Sequence, residues 1–181
     1  MSTEKPKPVS SAIIQPEQHK YNIAIIEDDL ETRQLLSDHF AKSGRVQCVL
    51  VVDTVEKFIK FYRDFFNIHL ILLDLRLYDK SGIDGIPLIL SREPKAEIVM
   101  FTSVDDYDAI FKAICNGATG YLLKDLLPAE LEARIIETLE NGGALLSPSV
   151  AKRIVRYFGS KVSTGPQEMS LTNQESLVVR L

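Results

Sequence analysis

The sequence predicts a doubly wound α/β sandwich built on a parallel sheet of five strands. Three observations carry this. Short apolar runs rich in β-branched residues recur at 22–26, 46–52, 70–73, 98–101 and 120–123. Segments with helical spacing separate them, and strands alternating with helices form βαβ units. The runs are apolar almost throughout, the pattern of strands covered on both faces. Right-handed crossovers then put helices on both sides of the sheet.

Each element has its own signal. The first run ends in Glu27-Asp28-Asp29, and the helix after it is read from Leu30, Leu35, Leu36 and Phe40 on one face. The second run is followed by Val55, Phe58, Ile59 and Phe65 at helical spacing. The third run ends in Asp74, the fourth in Thr102 and the fifth in Lys124. Between the fourth and fifth, Ile110, Phe111 and Ile114 share a face. A helix is predicted over Pro128–Asn141, with Leu131, Ile135, Ile136 and Leu139 inward. Asn141-Gly142-Gly143 stops it with residues tolerant of positive φ. A shorter helix is predicted over 148–158, then a Ser/Gly/Pro-rich linker over 159–170. Thr172, with Glu175 three residues on, is the capping box of another helix.

Composition narrows the function classes. The 181 residues are 45% hydrophobic and 25% charged, which excludes a disordered chain, a collagen-like repeat and a disulfide scaffold. The length lies between one domain and two. A net charge of −4 gives the whole chain no electrostatic case for binding nucleic acid or membrane. The charge is uneven: Lys152, Arg153, Arg156, Lys161 and Arg180 face only Glu168 and Glu175 after residue 150. Cys48 and Cys115 lie in apolar stretches and read as buried thiols of a reducing compartment. No apolar run approaches the ~18 residues of a membrane span. Residues 1–20 are polar and contain prolines, a flexible leader without the apolar core of a secretory signal. A cytoplasmic protein is expected.

The chemistry sits at strand ends. In a parallel sheet the carboxyl ends lie along one edge, and ligands bind there where strand order reverses. If the first and third strands are neighbours, Glu27, Asp28 and Asp74 converge. Carboxylates crowded in one cleft take up protons unless a cation intervenes. Mg²⁺ suits a few carboxylates together with water and a phosphate oxygen. Asp29 has a simpler role open to it, as a helix cap. Thr102 and Lys124 end later strands on the same edge. A hydroxyl, an ammonium, a metal site and a carboxylate together make a phosphoryl pocket. The carboxylate is the nucleophile and forms an acyl phosphate, while metal and lysine neutralise the transferring oxygens. Two other classes fit less well. A phosphatase with an aspartyl nucleophile wants a second acid two residues on, where Arg76 stands. A dinucleotide site wants a Gly-rich first turn, where Glu27-Asp28-Asp29-Leu30 stands.

Ile25-Ile26-Glu27-Asp28-Asp29, Leu72-Leu73-Asp74-Leu75, Phe101-Thr102-Ser103 and Gly117-Ala118-Thr119-Gly120-Tyr121-Leu122-Leu123-Lys124-Asp125, in that order and spacing, resemble the receiver domain of bacterial two-component response regulators. The resemblance covers residues 21–143 and implies a flavodoxin-like fold. It implies Asp74 as phosphoacceptor, Lys124 as the phosphate-binding lysine, Thr102 as switch hydroxyl and Tyr121 as switch aromatic. For Mg²⁺ it implies Glu27, Asp28, Asp74 and the backbone carbonyl of Arg76, with Asp28 the direct ligand and Glu27 acting through water. It implies a sensor histidine kinase as phosphodonor and a homodimer on phosphorylation. It also implies a signalling domain rather than an enzyme, beyond self-phosphorylation from small donors and self-dephosphorylation. Once phosphorylated, Asp74 would draw the Thr102 hydroxyl inward, and the Tyr121 ring would fill the space vacated.

Three departures qualify the resemblance. Tyr78 stands where the family usually has Pro, although Gly82 keeps the turn glycine. Asp125 follows Lys124 where many receivers have Pro, as is usual in the NarL/FixJ subfamily. Arg76 and Val104 occupy positions whose polar groups often place the hydrolytic water, so slow self-dephosphorylation is expected.

The end of the chain carries a second resemblance. Leu171-Thr172, Glu175 and Val178-Val179-Arg180-Leu181 resemble the start of a LuxR-type helix-turn-helix domain. The expected organisation is a leader over 1–20, a receiver over 21–143, a helical linker over 144–170 and an incomplete output domain over 171–181. The helix that would read the major groove lies beyond Leu181. DNA would be bound only through that further part, to control transcription. The alternative is a stand-alone receiver acting by protein contact, which leaves the last motif without a role.

Overall fold

The computed structural model describes residues 21–63, 66–78 and 80–163. The leader, Phe65, and the capping box at Thr172 and Glu175 lie outside the described residues. In chain order the elements are β1 (Tyr21–Ile26), α1 (Leu30–Phe40), β2 (Val46–Val52), α2 (Val55–Phe61), β3 (Leu70–Leu73) and α3 (Gly82–Arg92). They continue with β4 (Glu97–Thr102), α4 (Tyr107–Cys115), β5 (Gly120–Leu123), α5 (Pro128–Asn141), β6 (Leu145–Leu146) and α6 (Pro148–Ser163). The sheet order is β2-β1-β3-β4-β5-β6, and every pairing is parallel. The first five strands have the flavodoxin-like order, with strand order reversing between β1 and β3.

Alternation along the strands builds two cores. Ala24, Ile26, Ile71, Leu73, Ile98, Met100 and Tyr121 point to one face, where they meet Phe58 of α2, Ile86 and Ile89 of α3, and Ile110 of α4. Ile23, Ile25, Leu70, Leu72, Val99, Phe101 and Leu122 point to the other, against Leu36 and Phe40 of α1 and Leu131 and Ile135 of α5. Burying each such side chain contributes about 1.5–3 kcal/mol. At the far end of the second layer, Glu132 ties α1 to α5 by accepting from Ser43 Oγ and meeting His39 Nε2 at 2.7 Å.

The structure differs from the sequence expectations in several places, and one is that Cys115, expected to be buried, is exposed at the end of α4 while Cys48 is only half-buried. The sheet has six strands, not five, because two residues after α5 extend it. Gly120 permits this approach: a Cβ there would meet Leu145 O at 2.7 Å. A helix, α3, fills the β3–β4 crossover, where none was read. Its Gly82, Gly85 and Pro87 blur the helical pattern. Ser81 caps it by accepting from Ile83 N, and Gly85 lets it pack closely on Val55 of α2. Leu30 and Leu35 face outward, 64% and 57% exposed, while Leu36 and Phe40 alone fill the core from α1. In α4 only Ile110 and Ala113 are buried. Phe111 and Ile114 look instead toward α6, which continues through Gly159 to Ser163. No helix among the described residues is long and apolar enough to cross a membrane.

Candidate functional site: a carboxylate and lysine pocket at the carboxyl edge

The sheet ladder brings the acids together. Ile26 pairs with Leu73, and Asp74 N donates to Ile26 O at 2.9 Å, so the residues following β1 and β3 emerge side by side. Leu123 pairs with Thr102, and Lys124 N donates to Thr102 O at 3.1 Å, which carries the lysine out along the same edge. Carboxylate oxygens of Glu27, Asp28 and Asp74 lie within 4.8 Å of one another. Glu27 and Asp74 are buried and Asp28 is half-buried.

Lys124 ties two of these acids together. Its Nζ lies 2.7 Å from Glu27 Oε2 and 2.8 Å from Asp74 Oδ2. Asp74 Oδ1 accepts from Leu75 N at 2.6 Å. Burial, reinforced by the charge of Asp74, lifts the Glu27 carboxyl to about 7 against the pull of Lys124. Burial also works to lower Lys124, but its bonds to Asp74 and Glu27 outweigh that, and the ammonium is raised. An all-oxygen set that still leaves one carboxyl protonated near neutrality has the chemistry of a hard-cation site.

Further groups pin the loops around the pocket, and of these only Arg33 carries no signal of its own in the sequence. Arg33 Nη1 donates to the carbonyls of Glu27 at 2.6 Å and Asp28 at 3.0 Å, from one turn into α1. Asp29 caps α1, accepting from Thr32 N at 2.8 Å. The Tyr78 hydroxyl donates to Asp28 O at 3.3 Å, bridging the two acidic loops. Gly82 is required here, because a Cβ would overlap the Asp74 carbonyl oxygen. Arg76 lies in the loop after Asp74 and forms an isolated antiparallel bridge with Ser81.

Thr102 and Tyr121 stand one layer away. Thr102 is buried at the end of β4, and its Oγ1 accepts from Val104 N at 3.3 Å. The Tyr121 ring is fully buried, and its hydroxyl donates to Val104 O at 2.8 Å. Burial raises its phenol, helped by the charges of Asp106, Asp105 and Asp74. The ring lies in the core between the sheet and the helices of the first face. Both side chains grip the β4–α4 loop at one residue, Val104.

The family described as "Response regulator receiver domain" matches residues 23–136. The transcriptional regulatory protein LnrK of Bacillus subtilis is 33% identical over 106 residues, 58% of this chain and 48% of that protein. The chain spans about half the length of the curated relatives it matches. Among solved structures, the response regulator DrrB of Thermotoga maritima, an OmpR/PhoB homologue, is 26% identical with a TM-score of 0.58. That likeness covers 69% of this chain and 55% of DrrB. A LuxR-family two-component response regulator from an Aurantimonas species superposes with a TM-score of 0.68 at 24% identity, over 77% of this chain and 99% of the other, and shows the shared fold.

Proposed function

Because the chain belongs to the response regulator receiver domain family, we propose that Asp74 is its phosphoacceptor, loaded by a sensor histidine kinase. The single observation that carries this is the double contact of Lys124, at 2.7 Å from Glu27 and 2.8 Å from Asp74. It puts a cation between a candidate nucleophile and an acid pair suited to a metal.

In the step proposed, Asp74 Oδ2 attacks the phosphorus of the donor phosphohistidine. A P–O bond forms, the P–N bond breaks, and its electron pair returns to the imidazole. Lys124 stays on the same edge and pairs with an oxygen of the transferred group. Glu27, Asp28, Asp74 and the carbonyl of Arg76 would hold Mg²⁺. That ion supplies charge neutralisation at the phosphoryl oxygens. Leu75 N, already bonded to Asp74 Oδ1, fixes the carboxylate so that Oδ2 faces Lys124.

The signal leaves through Thr102. Turning its hydroxyl to a phosphoryl oxygen removes the acceptor of Val104 N. The β4–α4 loop then moves while Tyr121 still holds Val104 O. We place the chain in a cytoplasmic transcription regulator that dimerises on phosphorylation. Its matches to transcriptional regulatory proteins support that reading. The motif after residue 170 supports a NarL/FixJ output.

The test is incubation with Mg²⁺ and acetyl phosphate. The protein is expected to gain an acid-stable, base-labile phosphoryl group. The label should be absent with a chelator and absent in Asp74→Asn. Labelling of Asp74→Asn to the same extent overturns the assignment.

A further inference from the structure

We infer that α6 is held on the receiver by an Arg153–Asp105 latch that reads the β4–α4 loop, and that movement of this loop releases the helix. Asp105 lies one residue beyond Val104, the residue gripped by both Thr102 and Tyr121. Arg153, one turn into α6, meets it in two contacts: Nη2 donates to Oδ2 at 2.9 Å, and Nε lies 2.8 Å from Oδ1. Asp105 Oδ1 is buried, and the guanidinium is the cation set against it. The guanidinium also lies over the Tyr107 ring, 4.9 Å from its centroid, at the start of α4.

The rest of the seat is apolar, and Ile154 of α6 packs against the core beneath it. Phe111 of α4 meets Tyr157 of α6 with ring centroids 4.8 Å apart. Between the two helices a small apolar groove of about 40 Å³ remains. An isolated exposed ion pair contributes little, but a two-pronged Arg–carboxylate pair braced on a ring fixes register. With so small an apolar seat, an ion pair at its edge lets the loop bias whether α6 stays. Val150 and Ser147 anchor the start of the helix: Val150 is buried, and Ser147 Oγ accepts from Leu123 N at 3.0 Å. Release therefore loosens the helix beyond its first turn. The proposal rests on the phosphoacceptor reading only for what moves the loop.

Hydrogen exchange on the full chain tests it, comparing wild type with Arg153→Gln. Amides of 152–158 should exchange about tenfold faster in the variant, a coupling of ordinary size. Amides of 104–106 should also speed up, because coupling is reciprocal. β1 and β3 should keep their protection, showing an intact fold. With Mg²⁺ and beryllofluoride, a phosphoryl mimic, wild-type α6 should approach the variant, and the variant should change no further. Unchanged α6 protection in Arg153→Gln overturns the latch. So does wild-type α6 left unaltered while the loops around Asp74 become protected. If beryllofluoride leaves those loops unprotected, the phosphoacceptor reading fails, and the comparison without it still decides the latch.

Discussion

Lys124 and Asp74, fifty residues apart in the chain, meet across 2.8 Å at the carboxyl edge of the sheet. The ammonium is shared with Glu27 at 2.7 Å. It is the cation set between two buried carboxylates in the pocket.

Lys124→Ala should therefore leave Glu27 and Asp74 buried without that cation. Breaking a buried pair from one side costs about 3 kcal/mol. The metal-free variant should lose stability on that scale in urea denaturation, and Mg²⁺ should restore most of it. A variant as stable as wild type without metal contradicts the geometry.

Glu27 makes metal-free stability depend on pH. Its folded carboxyl titrates near 7, against an ordinary value of 4.5. The folded state binds the extra proton between those values, so the contribution is fully present below pH 4.5 and is lost as pH rises through about 7. The urea midpoint of chelator-treated protein should fall across that window, and Glu27→Gln should flatten the fall. Equal slopes in the two proteins contradict this origin.

Gly82→Ala puts a methyl group onto the Asp74 carbonyl oxygen. Backbone cannot give way as a side-chain end can, so overpacking should cost about 2 kcal/mol. Because the strain falls on the proposed phosphoacceptor, phosphorylation from acetyl phosphate should slow as well. Thermal melts and single-turnover labelling check the two effects. Wild-type behaviour in both means that the turn relaxes elsewhere.

Much of this site was legible because a parallel sheet turns strand ends into neighbours. Glu27, Asp74, Thr102 and Lys124 each end an apolar run, and the ladder brings those ends to one edge. What was not legible depends on contacts between distant residues. β6 has two residues and no pattern of its own; it exists because Gly120 leaves room for it. α3 is masked by Gly82, Gly85 and Pro87, which are there for close approaches rather than for helix propensity. Phe111 and Ile114 carry a core-like spacing, yet they face α6. Arg33 is an ordinary helix cation in the sequence; only the fold shows it folding back onto the Glu27 and Asp28 carbonyls.

Arg76 and Val104 bear on the lifetime of the phosphorylated form. Neither offers a carboxylate or an amide side chain to orient an attacking water. A phosphoryl group on Asp74 should persist well beyond seconds in Mg²⁺ buffer after removal of the donor. Decay within seconds, followed by intact mass, contradicts this.

The most direct test of the central claim is to locate the phosphoryl group. After loading with Mg²⁺ and acetyl phosphate, borohydride reduction converts an aspartyl phosphate to the corresponding alcohol, and peptide mass mapping finds the altered residue. The account predicts one modified position, Asp74, lost with chelator and in Asp74→Asn. Modification at another residue, or none in folded protein with Mg²⁺ bound, contradicts it.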